Sequence, residues 1–428
     1  MNTSEDLLVE SFASRPASLR IAIVTETFPP EVNGVAMTLG RIVEGLLQRG
    51  HVVQVVRPRQ SSEATAAPRA GLDEVLSKGM PLPAYGELRF GLPAKRRLTQ
   101  LWRDTRPDIV HVATEGPLGW SAVAAARKLM LPITSSFHTN FHSYSQHYGI
   151  GLLKSPIETY LRKLHNRTQA TMVPTQAMVQ ELRGRGFDNV ALVARGVAIS
   201  QFQPSRRSEE LRASWGAAPD DLVVMLVGRL AREKNVQLVV SAFQAIQERV
   251  PKAKLVLVGA GPLRDSLQIA CPQAIFAGMR KGDDLASYYA SGDLFLFASL
   301  TETYGNVVPE ALASGMAVVS YGHAAASELI VNDYNGLLVD AGDAEAFVRA
   351  AVLAATDNDL RARLKANAVR SVAHLGWDSI YDSFLSVLMQ VLARNNPAFV
   401  GAGPLGAQAL SGLQTQQRLP QPDARTVV

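Results

Sequence analysis

The chain alternates short, wholly apolar runs with longer stretches in which apolar residues recur every three or four positions. Residues 20–24 form an apolar run that ends in polar Thr25 and a Pro-Pro turn. Positions 35–47 then have helical spacing and close on Gly50, and 52–56 is apolar again. Strand, loop, helix, strand is the opening of a parallel α/β sheet. The series continues with strands predicted at 109–112, 133–137 and 170–173 and helices at 122–130 and 176–184. After Arg195, Gly196 and the stretch 204–208 the alternation starts afresh. Apolar runs at 222–227 and 255–258 read as strands buried on both faces. Phe276 and the runs 294–297, 318–319 and 336–339 continue the series, with helices at 236–248, 284–290, 309–314 and 344–354 between the strands. The predicted class is therefore α/β, two halves in tandem with no repeat of solenoid length. Ligands of open parallel sheets bind beyond the carboxyl ends of the strands, so two such sheets facing each other make one deep cleft.

Composition agrees with two cores: 428 residues exceed what one core supports, and 47% hydrophobic against 19% charged residues excludes a chain disordered throughout. Disorder is predicted for 1–18 and for the Gly-, Pro- and Gln-rich stretch 396–428. The expected domains are 19–203 and 204–375. No apolar run nears the roughly 18 to 20 residues that cross a bilayer, and acidic residues stand where a secretory signal carries positive charge, so the expected location is the cytoplasm. Cys271 is the only cysteine, which leaves no internal disulfide, and it reads as a small buried residue. The 43 basic and 38 acidic side chains are too evenly matched for a dedicated nucleic-acid binder. Two basic groups stand out. One is Arg89, Lys95, Arg96, Arg97, Arg103 and Arg106; the other is Lys154, Arg162, Lys163 and Arg167. They read either as solvated helix faces or as attraction to anionic lipid headgroups or acidic acceptors.

Chemistry-bearing residues follow the predicted strands. The segment Glu302-Thr-Tyr-Gly-Asn-Val-Val-Pro-Glu310 runs from strand 294–297 into a helix. Its residues Gly305, Asn306 and Val307 offer N–H groups at a helix N-terminus, which favours a diphosphate. Glu302 and Glu310 accept hydrogen bonds and suit a sugar ring and a ribose. Glu310 alone could be an ordinary charge at a helix start, but that leaves Glu302 without a reason. Gly228-Arg229-Leu-Ala-Arg-Glu-Lys234-Asn235 follows strand 222–227 and puts two cations at its end, able to neutralise a pyrophosphate. Arg232 and Glu233 are expected to pair with each other or with solvent. Asn33-Gly34 reads as a tight turn with close backbone access to a ligand. His138 follows strand 133–137 and serves equally as a base, a donor or a satisfied loop histidine. His142 and His147 lack a carboxylate at metal-site spacing, so no metal is expected. Gly259-Ala-Gly261 is a weak dinucleotide fingerprint, and neither a Gly-x-Ser-x-Gly elbow nor a Walker loop is present. Hydride transfer, serine hydrolysis and P-loop phosphoryl transfer lose support.

Over about residues 20–392 the chain resembles the retaining glycosyltransferases built from two Rossmann-like domains (GT-B). The resemblance is carried by the Glu302–Glu310 segment, by Gly228-Arg229 with Lys234, by Thr25-Glu-Thr-Phe-Pro-Pro-Glu-Val-Asn-Gly34 and by Ser136-Phe-His138-Thr. It implies that Arg229, Lys234 and the N–H groups of Asn306 and Val307 meet the donor diphosphate. It further implies that Glu302 and His138 meet the transferred sugar, Glu310 the ribose, and that Gly34 lies where donor and acceptor approach. A helix at about 376–395 would cross back to the first domain. Ala113-Thr-Glu115-Gly-Pro-Leu-Gly119 and Tyr321-Gly-His-Ala-Ala-Ala326 resemble GDP-mannose-dependent α-mannosyltransferases and diacylglycerol glycosyltransferases, although Gly322-His323-Ala324 replaces a glycine pair common at that loop. The implied activity is hexose transfer, best mannose from GDP-mannose, to a membrane lipid or cell-envelope glycan, without metal or cofactor. The protein would work cytoplasmically, with peripheral contact to an anionic membrane. A UDP-sugar-dependent diacylglycerol glucosyl- or glucuronosyltransferase, a nucleotide-sugar 2-epimerase and a silent sugar-nucleotide-binding protein remain alternatives.

Overall fold

A computed structural model describes residues 18–31, 33–59, 69–82, 85–138 and 154–395. Most of 1–18, all of 396–428, and His142, His147 and the aromatic stretch 141–148 lie outside them. The first half runs β1 (Arg20–Val24), α1 (Gly34–Gln48), β2 (Val52–Pro58), β3 (Leu72–Ser77), β4 (Gly79–Leu82), β5 (Tyr85–Gly91) and α2 (Lys95–Asp104). It continues with β6 (Ile109–Val112), α3 (Pro117–Lys128), β7 (Ile133–Ser136), α4 (Lys154–His165), β8 (Ala170–Val173), α5 (Gln176–Gly184) and β9 (Val190–Leu192). The second half runs α6 (Glu209–Ser214), β10 (Val223–Val227), α7 (Val236–Arg249), β11 (Lys254–Val258), α8 (Arg264–Ala270), β12 (Ile275–Gly278) and α9 (Gly282–Ser291). It closes with β13 (Leu294–Phe297), α10 (Val307–Ala313), β14 (Ala317–Tyr321), α11 (Ala324–Leu329), β15 (Leu337–Val339), α12 (Ala344–Thr356), α13 (Asn358–Val372) and α14 (Trp377–Asn395).

Two parallel sheets result. The first has the order β3-β2-β1-β6-β7-β8-β9 and the second β12-β11-β10-β13-β14-β15; β4 and β5 form a separate antiparallel hairpin. The strand order reverses between β1 and β6 and between β10 and β13, the positions at which a crevice opens in a doubly wound sheet. The loops after β1, β10 and β13 therefore carry the residues singled out above. Helices cover both faces of the sheets, so β6, β10 and β13 are buried at every position; β10 and β13 are also wholly apolar, whereas β6 carries buried His111. α14 packs its apolar stripe, including Ile380, Phe384 and Leu388, onto Leu39, Ile42 and Leu46 of α1, so the last helix completes the core of the first sheet. Cys271 is buried in the second core.

The sequence pattern does not disclose β3, the hairpin or α13. β3 is an edge strand with Asp73 and Glu74 exposed, and α13 buries only Leu360, Leu364, Ala368 and Val372, one residue per turn. Among the described residues no helix is long and apolar enough to cross a membrane.

The second domain rests on a buried charge network at the amino end of β13. Arg212 is fully buried and donates to Asp293 at 3.0 Å and to the carbonyls of Ser291, Ala218, Pro219 and Asp221. Asp293 also accepts from Val223 N–H at 3.0 Å, Arg207 at 3.2 Å and Lys365 at 3.0 Å. Burial alone would raise its carboxyl, but Lys365, the Val223 N–H and Arg212 outweigh that and hold it below the ordinary 3.8. This contribution is present above that value and is lost as pH falls through the lower folded one. Asp293→Ala removes the 3.0 Å carboxylate partner of buried Arg212, leaving among the described residues only the Glu209 carboxylate at 3.6 Å, and should cost about 3–5 kcal/mol, read as a lowered urea midpoint at pH 7. A midpoint unchanged from wild type would contradict this role.

Candidate functional site

The loops after β10 and β13 are tied together before any ligand arrives. Leu300 N–H donates to Glu233 O at 2.9 Å and Ser299 Oγ to the same carbonyl at 3.3 Å. That brings Lys234 Nζ into an ion pair with Glu302 Oε1, with side chains 20% and 12% exposed. The two residues stand 68 positions apart, yet they share one charge-assisted contact at the carboxyl ends of adjacent strands. Gly259 has a specific structural use here. A Cβ on it would stand 1.9 Å from Gly228 O, so the bare backbone lets the loop after β11 lie against the Arg229 loop. The Gly259-Ala-Gly261 turn thus packs against a neighbouring loop of the protein itself.

Arg229 is half exposed and lies 3.6 Å from Glu233. Glu233 therefore pairs with Arg229 and not with Arg232 as expected. Further along, α10 begins at Val307 with Asn306 before it. Among the described residues no protein group accepts the N–H of Asn306 or Val307, and Asn306 Oδ1 is buried without a partner. Glu310 lies in the first turn of α10 and accepts from Tyr289 Oη at 2.9 Å. Burial pushes its carboxyl up to about 7, against the opposing effect of the Tyr289 hydrogen bond.

From the first domain, His138 reaches the same loop: Thr303 Oγ1 donates to His138 O at 3.2 Å. Burial, with Arg195, His111 and His165 nearby, holds the imidazole well below its usual range, so it is neutral at physiological pH. Its Nδ1 lies 3.2 Å from Arg195 Nη2 and its Nε2 is buried without a partner. A neutral ring suits hydrogen bonding to a sugar hydroxyl. Gly34 is the first residue of α1. Asn33 does not make the predicted tight turn; its Oδ1 caps α1 by accepting from Val35 at 3.1 Å and Ala36 at 2.9 Å. The altered loop at 322–324 also has its own lock: His323 Nε2 lies 2.7 Å from Ser299 O, and Ala324 takes a left-handed φ of 51° that glycine adopts more easily. At 276–280, Arg264 stacks over Phe276 and Arg280 Nε donates to Ala277 O at 3.0 Å.

Lys234 and Glu302 are thus in direct contact, Arg229 joins them through Glu233, and the His138 backbone joins through Thr303. Glu310 is engaged separately, by Tyr289. Three residues of this region escaped the sequence reading as site residues: Arg195, Tyr304 and Glu26. Tyr304 Oη donates to Arg195 O at 3.4 Å. Glu26, in the loop after β1, accepts from Leu118 N–H at 3.1 Å, and burial raises its carboxyl to about 7. The only trace of Arg195 in the sequence is a cation directly before Gly196 at the domain crossover.

Two switch-point crevices in paired parallel sheets, with cations and carboxylates at the strand ends, define a GT-B glycosyltransferase. The Glycosyltransferase Family 4 profile matches residues 32–201 and the Glycosyl transferases group 1 profile residues 207–371. The chain is 33% identical over 378 residues to a GDP-mannose-dependent alpha-mannosyltransferase of Corynebacterium glutamicum, covering 88% of this chain and 90% of that one. It is 35% identical to a protein of the same name from Mycobacterium tuberculosis, covering 86% and 95%. The fold is shared with sucrose-phosphate synthase of Thermosynechococcus elongatus, at a TM-score of 0.72 and 18% identity over 88% of this chain and all of that one. The chain belongs to this glycosyltransferase family and is a hexosyltransferase.

The raised Glu310 carboxyl has a measurable consequence. The folded protein keeps this proton up to about pH 7, whereas the ordinary value is 4.5, so stability falls as pH rises between the two. Glu310→Gln removes that slope. Calorimetry from pH 4.5 to 7.5 should show the variant gaining on wild type by on the order of 1–3 kcal/mol. Parallel stability curves would contradict the assignment.

Proposed function

We propose that this protein transfers mannose from GDP-mannose to a hydroxyl of a membrane lipid or cell-envelope glycan, with retention at the anomeric carbon and without a metal. The observation that carries the reading is the Lys234–Glu302 ion pair beside half-exposed Arg229. The unaccepted N–H groups of Asn306 and Val307 support it. A diphosphate supplies anionic oxygens for both cations and both N–H groups. Once Lys234 turns to phosphate, Glu302 is released to accept from sugar hydroxyls, and Glu310 can accept from the ribose after losing its proton. The anomeric C–O bond breaks with its electron pair passing to the diphosphate, whose growing charge the cations stabilise. The acceptor oxygen bonds to the anomeric carbon from the same face, and its proton passes to the departing phosphate.

The names of the Corynebacterium and Mycobacterium relatives support mannose and GDP. A lipid acceptor draws support from α2, where Lys95, Arg96, Arg97 and Arg103, with Arg106 just beyond, are exposed. The second basic group contributes less. Arg162 donates to Arg185 O at 3.0 Å, Arg167 stacks over Trp120, and the side chain of Lys154 lies outside the described residues. The protein would then work at the cytoplasmic face of an anionic membrane.

Turnover is to be measured with GDP-mannose, UDP-glucose, UDP-galactose and UDP-glucuronate, each with vesicles containing diacylglycerol or phosphatidylinositol. GDP-mannose should be consumed with formation of an α-linked product, unaffected by EDTA. Arg229→Ala and Lys234→Ala should each lower kcat about a hundredfold or more. Near-wild-type transfer by either variant, or product formed from a UDP-N-acetylhexosamine without any acceptor, would overturn the reading.

A further inference from the structure

Arg195 follows β9, where the chain leaves the first sheet for the second domain. It is 7% exposed, and among the described residues no carboxylate lies within ion-pair distance of it. One N–H of its guanidinium goes to His138 Nδ1, its plane lies 5.8 Å over the ring of Tyr304, and its buried Nε has no acceptor. A guanidinium carries five donors and cannot be relieved of its charge at neutral pH. Burial draws its pKa down only to about 10, with Tyr304 and Glu302 opposing the fall, so it stays a cation. An unpaired buried charge is costly to the fold. Such a cost is expected where a ligand brings the missing counter-charge.

The surroundings say where that ligand sits. Arg195 Nη1 lies 3.6 Å from the point where a Cβ on Gly34 would stand, so the glycine adds no side chain beside the guanidinium. Thr303 and Tyr304 of the Glu302 loop close in from the second domain, through His138 O and Arg195 O. We propose that Arg195 is a third cation of the donor site, holding the diphosphate from the first domain while Arg229 and Lys234 hold it from the second. The proposal rests on the reading that a diphosphate-linked sugar occupies this gap, and it is independent of which base or hexose that donor carries.

Calorimetric titration of the full chain with inorganic pyrophosphate, GDP, UDP and guanosine tests it, together with thermal unfolding of wild type, Arg195→Gln and Arg195→Lys. Arg195→Gln should weaken pyrophosphate binding tenfold or more, leave guanosine binding unchanged and melt at or above the wild-type temperature, because an unpaired charge has been removed. Arg195→Lys should regain most of the affinity. A residue that served only the fold would instead lower the melting temperature and leave pyrophosphate alone. Pyrophosphate binding by Arg195→Gln within twofold of wild type overturns the proposal. So does a loss confined to the KM for a phosphoinositide acceptor with pyrophosphate affinity intact. Tighter binding of UDP than GDP would sink the GDP-mannose reading while the pyrophosphate result for Arg195 stood. Failure of the wild type to bind pyrophosphate at all sinks both.

Discussion

The contact on which the site depends is the ion pair between Lys234 and Glu302. It joins the loops that leave two neighbouring strands, and the backbone bond from Leu300 to Glu233 holds those loops in register. Both side chains are largely shielded from water, so their attraction exceeds that of a surface pair, and each is costly to leave without a partner. A ligand that enters must satisfy both at once. An anion for the ammonium and hydroxyls for the carboxylate meet that demand, and a diphosphate-linked sugar carries them on one molecule. On the proposed function the pair holds the place of the substrate, keeping two opposite charges close until a ligand separates them.

Much of this was legible along the chain because parallel strands covered on both faces appear as uninterrupted apolar runs. β10 and β13 stand out in that way, and their ends locate the loops that bear Arg229, Lys234 and Glu302 and the helix start that bears Glu310. Edge strand β3 and helix α13 do not stand out, since one is half polar and the other buries a stripe only one residue wide. Asn33-Gly34 shows the limit of local reading: the same two residues suit a turn or a helix cap, and only the position of α1 decides between them.

Arg195 escaped for a different reason. Its place before Gly196 says little, because its meaning comes from burial and from the absence, among the described residues, of a carboxylate within ion-pair distance, both properties of the folded molecule. The same holds for Glu26 and Glu310, whose raised carboxyls follow from burial that no spacing rule predicts. Sequence patterns reveal residues whose position repeats with the secondary structure. They are silent on charges whose role is fixed by what fails to surround them.

The central claim is that the Lys234–Glu302 pair opens to receive a diphosphate, and a crystal structure of the protein with GDP-mannose bound tests it most directly. The account predicts phosphate oxygens within hydrogen-bond distance of Lys234 Nζ, Arg229 and the N–H groups of Asn306 and Val307, with Glu302 turned to the hexose. A donor bound elsewhere, with Lys234 still closed on Glu302, would contradict it.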